Sequence, residues 1–201
     1  MRNVLVPVSL CLTLLFALAS RSWAALPEDE EYAVYNAVIQ KRYVRPAIKR
    51  VVIGDQTEIY PHDRTELNAV KETESIRKAF AAWSIRPDTV ASYFARNKVP
   101  SKLRNRFALS VPTVLLSRRR QRGIQSGRYS GRDYWGAFYE QYPDSPGILA
   151  LSRVGFSSAM DQAFVYVGNA CGSLCGVGEY YLLPKKNGLW KVEAVVLLWV
   201  S

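Results

Sequence analysis

Cys171 and Cys175 stand close together in GNACGSLCGVGEYYLL (168–183), while the third cysteine, Cys11, lies in an apolar run near the start. A thiol pair of this kind can do redox chemistry, hold a metal or cross-link the chain. Redox couples favour C-x-x-C at the start of a helix, where the dipole lowers the thiol pKa. Here the spacing is C-x-x-x-C, with strand-like sequence on both sides. Zinc needs about four ligands, and His62 is the only histidine in the chain. Gly172, Gly176 and Gly178 permit the tight loop that a bridge requires. The residues therefore favour a structural disulfide, worth about 2 kcal/mol for so small a loop. No metal site is expected. No cofactor is expected either, since the chain has no P-loop, Rossmann fingerprint, EF-hand or H-E-x-x-H motif.

With one histidine, general acid–base work would fall to carboxylates. Glu140, Asp144, Asp161 and Glu179 all lie in the last third. Glycoside hydrolysis needs two carboxyl groups facing each other at about 5 to 9.5 Å, and Glu179, Asp161 and Glu140 are the candidates. Ordinary turn chemistry also explains Asp144 and Asp161. Glu179 begins an apolar strand beside the cysteine turn. GFSSA (155–159) superficially matches the G-x-S-x-G elbow, but Ala159 replaces the last glycine and no histidine follows Ser157.

Arg118, Arg119, Arg120, Arg122, Arg128 and Arg132 form the densest charge cluster, in a segment (118–132) that reads as a basic surface loop. Guanidinium groups pair bidentately with phosphate or carboxylate, so this cluster is the anion-binding candidate. Tyr134, Trp135, Phe138, Tyr139 and Tyr142 recur at helical spacing. Rings so spaced form core or, alternatively, a platform for carbohydrate.

Behind these residues stand the elements that must position them. Val34, Tyr35, Val38, Ile39 and Tyr43 predict an amphipathic helix over 31–44, preceded by a short acidic leader, ALPEDE (25–30). Residues 47–57 and 111–117 read as strands, 58–72 as loop, and 73–83, 87–97 and 132–142 as helices. From residue 148 onward, strands alternate with short turns, and the NG of KKNGLW is a strong hairpin signal. Short links imply an antiparallel meander of four strands, and its final run, 189–200, is apolar enough for a central, doubly buried strand. The expected fold is a single α+β domain over 25–201, a helix-rich N-terminal half packed on an antiparallel sheet.

MRNVLVPVSLCLTLLFALASRSWA (1–24) has the layout of a cleaved signal peptide: Arg2, an apolar run over 4–19, then Ser22 and Ala24 at the −3 and −1 positions. That run is shorter than the roughly 20 residues a spanning helix needs. Export to the periplasm or beyond follows, an oxidising setting in which a disulfide is the default. The whole chain carries a net charge of +10, and +8 without Arg2 and Arg21. Such a surplus suits an anionic polymer or a membrane surface, and export makes nucleic acid the least favoured partner.

LSRVGF (151–156), QAFVYVG (162–168), CGSLCGVGEYYLL (171–183) and GLWKVEAVVLLWVS (188–201) together resemble a family of uncharacterised bacterial exported proteins that share a terminal meander and a Trp-Val-Ser-like tail. The resemblance implies export and a common fold, and it implies no activity. The NG-x-W-K-V hairpin is also similar to the last hairpin of NTF2-like domains, a likeness of fold alone. The function expected is that of an exported, non-enzymatic domain binding an anionic envelope or extracellular partner. The alternatives are a carboxylate-dependent hydrolase of envelope polysaccharide and a thiol oxidoreductase.

Overall fold

The computed structural model describes residues 26–61, 66–125 and 133–201. Residues 1–24, expected as a signal peptide, and His62, Asp63, Arg128 and Arg132 lie outside the described residues. The architecture is α+β: among the described residues, five α-helices pack on an eight-stranded mixed sheet.

Helix α1 (Leu26–Arg42) carries Glu28 and Asp29 in its first turn and Lys41 and Arg42 in its last, which suits the helix dipole. Its buried stripe, Tyr32, Tyr35, Val38 and Ile39, follows the helical period. Residues 26–30 of the acidic leader expected at 25–30 thus form the first turn of this helix, and its charges are engaged. Glu30 accepts from Lys185 Nζ (2.5 Å) and Trp190 Nε1 (2.6 Å), and Asp29 pairs with Arg106.

Strand β1 (Val51–Gly54) is followed by α2 (Glu66–Ala79), which begins inside the stretch expected as loop. The polar sequence ELNAVKETESIRKA has no glycine or proline and consists mostly of good helix formers. A short 3-10 turn, Ala81–Trp83, leads to α3 (Pro87–Arg96), with Pro87 in its first turn. After β2 (Thr113–Leu116), helix α4 (Arg118–Gln125) replaces the first half of the expected basic loop. Ser117 Oγ accepts from Arg120 N at 3.2 Å, a cap that starts the helix, and Ile124 buries its apolar side. Helix α5 (Tyr134–Gln141) is capped by Asp133, whose Oδ1 accepts from Gly136 N at 2.7 Å.

The remaining strands are β3 (Ile148–Leu151), β4 (Gly155–Phe156), β5 (Gln162–Gly172), β6 (Cys175–Lys186), β7 (Leu189–Trp190) and β8 (Ala194–Val200). The main path runs β2-β1-β3-β5-β6-β7; β4 pairs with β5, and β8 with β6. The expectation of an antiparallel sheet holds for β3–β5, β5–β6 and β6–β8, but β1 is parallel to both β2 and β3. Short links reveal only neighbouring hairpins. They carry no information about segments that pair across sixty residues or more. The expected four-stranded meander is six strands, because its first stretch divides into β3 and β4 and its last into β7 and β8, and β3 joins it to the parallel part. Asn187 and Gly188 form the two-residue turn into β7, both with positive φ (53° and 77°), as the NG signal predicts.

Strand β8 departs from the expectation of a central strand. It lies at the sheet edge, where Val195, Leu197 and Val200 are exposed and Ala194, Val196 and Leu198 turn inward. An apolar run is thus compatible with one buried face.

One sheet face is covered by α1 and the 103–111 segment, burying Val51, Ile53, Leu149, Leu151, Val165, Val167, Tyr181 and Leu183. The opposite face carries two separate clusters. Helices α2 and α3 cover Phe164, Tyr166, Tyr180 and Leu182, and α4 and α5 cover Val52, Leu116 and Ile148. Gly155 allows α3 to cross close over β4: a Cβ there would lie 2.5 Å from the Tyr93 backbone nitrogen.

Candidate functional site

The two helical layers leave a strip of sheet between them, and there a cleft of about 810 Å³ opens. Its floor is built by register. Leu116 pairs with Gly54, and Ala150 pairs with Gly168, which pairs in turn with Gly178. Opposite residues in a ladder point to the same face, so a row of glycine and alanine crosses the strip where bulkier residues would fill it. Tyr166 lies over Gly168, and the Trp199 ring lies over Gly178, where a Cβ would come within 2.0 Å of Nε1. Among the described residues, the nearest atom to a Cβ placed on Gly54 is the Gln56 carbonyl oxygen at 3.7 Å. The floor is open there.

Aromatic rings wall the cleft. On one side Tyr60 stacks on Tyr166 at 4.2 Å and 4°, and Trp199 Nε1 donates to Tyr166 Oη at 3.2 Å. On the other, Tyr134 and Trp135 meet edge to face at 5.1 Å. Burial raises the phenols of Tyr60, Tyr134 and Tyr166 above their ordinary pKa, so all three are neutral near pH 7. The aromatic stripe of α5 is therefore divided. Phe138 and Tyr142 are core, Tyr139 donates to the Cys171 carbonyl at 2.9 Å, and Tyr134 and Trp135 line the cleft.

The rim is the segment 55–60 that follows β1. It is held by Leu103 N donating to Asp55 O (2.8 Å), Thr57 N to Ser101 O (2.8 Å) and Ser101 N to Thr57 Oγ1 (2.8 Å). It brings Asp55, Gln56 and Glu58 to the mouth, facing Arg118 and Gln121 from α4. The cleft thus holds charges of both signs at the carboxyl ends of parallel β1 and β2, the usual place for ligands in sheets with such strands.

The expected site residues scatter by contrast. Arg118 alone of the described arginine cluster lines the cleft; Arg119 and Arg122 are exposed, and the Arg120 guanidinium sits over the Tyr142 ring at 5.7 Å. Among the described residues, no acidic partner lies within ion-pair distance of Arg118, Arg119, Arg120 or Arg122. Glu179 is buried on the far face, held bidentately by Arg42 (3.0 and 3.2 Å) and by the Tyr181 hydroxyl (2.5 Å). Asp161 sits in the turn before β5, paired with Arg86 at 2.8 Å and accepting from Ser157 Oγ at 2.7 Å. That bond, with Asp161 N and Gln162 N donating back to Ser157 Oγ, makes the serine a turn-closing residue. Glu140 is exposed on α5. The structure does not bring Glu179, Asp161 and Glu140 together. The carboxylates that do face the cleft, Asp55 and Glu58, had no signal in the sequence beyond following a short strand.

Cys171 and Cys175 form a disulfide, with Cα atoms 5.1 Å apart, across the tip of the β5–β6 hairpin. Among the described residues no cluster of histidine, cysteine and carboxylate side chains could hold a metal ion, and no helix is long and apolar enough to cross a membrane. No protein-family model, curated protein or solved structure matches this chain.

Proposed function

We propose that this chain is an exported, non-enzymatic binding domain whose ligand site is the cleft over the open strip of sheet, with Arg118 holding the anionic group of the ligand. The observation that carries this reading is the small-residue floor beside Arg118: space is kept empty within reach of one cation, between neutral aromatic walls. Such walls suit the apolar face of a sugar ring, and the rim supplies hydrogen-bond partners for hydroxyls. The signal-peptide layout of residues 1–24, the disulfide and the likeness of the last third to bacterial exported proteins support export. The surplus of positive charge supports an anionic glycan as partner.

The test is calorimetric titration with a heparin hexasaccharide as an anionic probe. Arg118→Ser should weaken binding about tenfold, as expected from losing a charge-assisted bond of roughly 1.5 kcal/mol or more. Affinity should also fall as salt rises. The Arg119→Ser/Arg122→Ser variant should lose only general attraction. Equal losses for both would remove the cleft from the account.

A second reading is favoured by Asp55 and Glu58, two carboxylates on one rim of a cleft able to take a sugar. In that reading the protein is a carboxylate-dependent hydrolase of envelope polysaccharide. Release of reducing ends from peptidoglycan by the wild type, abolished in both Asp55→Asn and Glu58→Gln, would establish it.

A further inference from the structure

The outer side of β6 carries β7 and then β8, and among the described residues no strand pairs with the outer edge of β8. A free edge offers unpaired N–H and C=O groups, and proteins usually blunt it with lysine, proline, a short strand or a cover. The opposite edge, β2, is such a case: four residues long and followed at once by α4. Strand β8 has no lysine, proline or cover, and its one irregularity, a bulge at Leu198 opposite Gly178 and Glu179, leaves Ala194–Leu198 regular. Its seven residues, AVVLLWV, contain no charge and no proline.

Apolar exposure concentrates along the same edge. Leu174 at the stapled hairpin tip (90% exposed), Leu189 (65%), Val195 (42%), Leu197 (57%) and Val200 (68%) follow one another along it. Elsewhere in the described residues, large exposed hydrophobics are scattered singly: Val70, Trp83 and Val99. A contiguous apolar border marks an interaction surface.

We propose that this edge joins two copies of the chain, with the β8 strands pairing antiparallel about a twofold axis so that the sheet continues from one molecule into the next. Two features select a second copy as the occupant. The chain carries a net charge of +10, so two copies repel over most of their surface, yet the side chains of Ala194–Val200 are uncharged and bring no like charges together. Strand β8 is also its own complement. A bulge at Leu198 ends the regular part of the strand, and Ala194–Leu198 is self-complementary: with Val196 at the axis, Val195 faces Leu197 and Ala194 faces Leu198, apolar against apolar. The main-chain ladder would extend over about 16 Å, at roughly 3.3 Å per residue, with Leu174 and Leu189 flanking it.

Sedimentation equilibrium of protein expressed from the full chain tests this. The wild type should be a dimer at micromolar concentrations. Val195→Lys/Leu197→Lys should shift the dimer constant by about tenfold or more, since inserted edge lysines oppose pairing. Both positions face solvent, so the far-ultraviolet circular dichroism of the variant should match the wild type and confirm that it folds. Val70→Lys/Val99→Lys adds the same charge elsewhere and should leave the dimer in place. A wild type that is monomeric throughout, as expected if the edge serves a strand of another protein, overturns the proposal. So does a dimer equally indifferent, or equally sensitive, to both double variants.

Discussion

Arg153 clasps Glu31 with two parallel bonds, Nε to Oε1 at 3.1 Å and Nη2 to Oε2 at 2.9 Å, across 122 residues of sequence. Arg96 (2.9 Å), the Val154 N–H (2.9 Å) and the Tyr35 hydroxyl (3.1 Å) complete the shell around this buried carboxylate. One side chain thus ties α1, α3 and the β3–β4 link together. Glu31→Gln keeps the shape but leaves two guanidinium groups without their counter-charge. Breaking a buried pair in this way costs about 3 kcal/mol, to be read as a lower denaturant midpoint with an unchanged slope.

The first turn of α1 is structural, because Glu30 accepts from both Lys185 and the buried Trp190. Glu30→Ala should lower stability by about 1 to 2 kcal/mol, the usual cost of leaving charge-assisted donors unpaired. Chemical denaturation followed by tryptophan fluorescence reports it directly. A change within error would show this turn to be dispensable.

Filling the floor separates space from stability. Ala150→Leu projects a larger side chain into the open cleft, where it meets no packed core. Thermal melting should shift little, while binding of the heparin hexasaccharide should be lost. Retained binding would place the ligand elsewhere.

Asp88 in the first turn of α3 accepts from the Ser158 N–H (2.9 Å) and then the Ser158 hydroxyl (2.7 Å), which hold its carboxyl below the ordinary pKa. A carboxyl lowered on folding stabilises the native state above its unfolded pKa, and that contribution disappears as pH falls through the folded value. Asp88→Asn should therefore melt below the wild type at neutral pH. The gap should narrow as pH falls below about 4. A gap that widens on acidification would contradict this assignment.

The disulfide closes a short loop at the hairpin tip. Cys171→Ser/Cys175→Ser should cost about 2 kcal/mol and leave the remaining sheet intact. Intact-mass analysis with alkylation should find no free thiol at these positions in the oxidised wild type.

Much of the secondary structure was legible because periodicity and turn chemistry are local. The α1 stripe, Pro87 at the start of α3 and the Asn187–Gly188 turn each state their geometry within a few residues. Helix α4 was hidden by its composition, since RRRQRGIQ offers one apolar anchor and an internal glycine. The parallel pairing of β1 with β2 and β3 was hidden because partner choice is made by tertiary packing. The cleft was illegible for a related reason: Gly54, Ala150 and Gly168 are ordinary small residues until register aligns them. Glu179, which looked chemically poised in sequence, is neutralised by Arg42, a residue 137 positions away.

Strand β1 is the last piece that can find its place. The β5–β6 hairpin closes through a two-residue loop, Ser173 and Leu174, and its ladder can grow without waiting for the rest of the chain. Strand β1 must wait for β2 and for β3, both distant in sequence, and it lies parallel to each. Closing such loops loses chain entropy before any contact compensates it, which slows folding. The cleft borders β1, so ligand competence should be acquired late, in the slowest kinetic phase, after most of the strand signal has already developed.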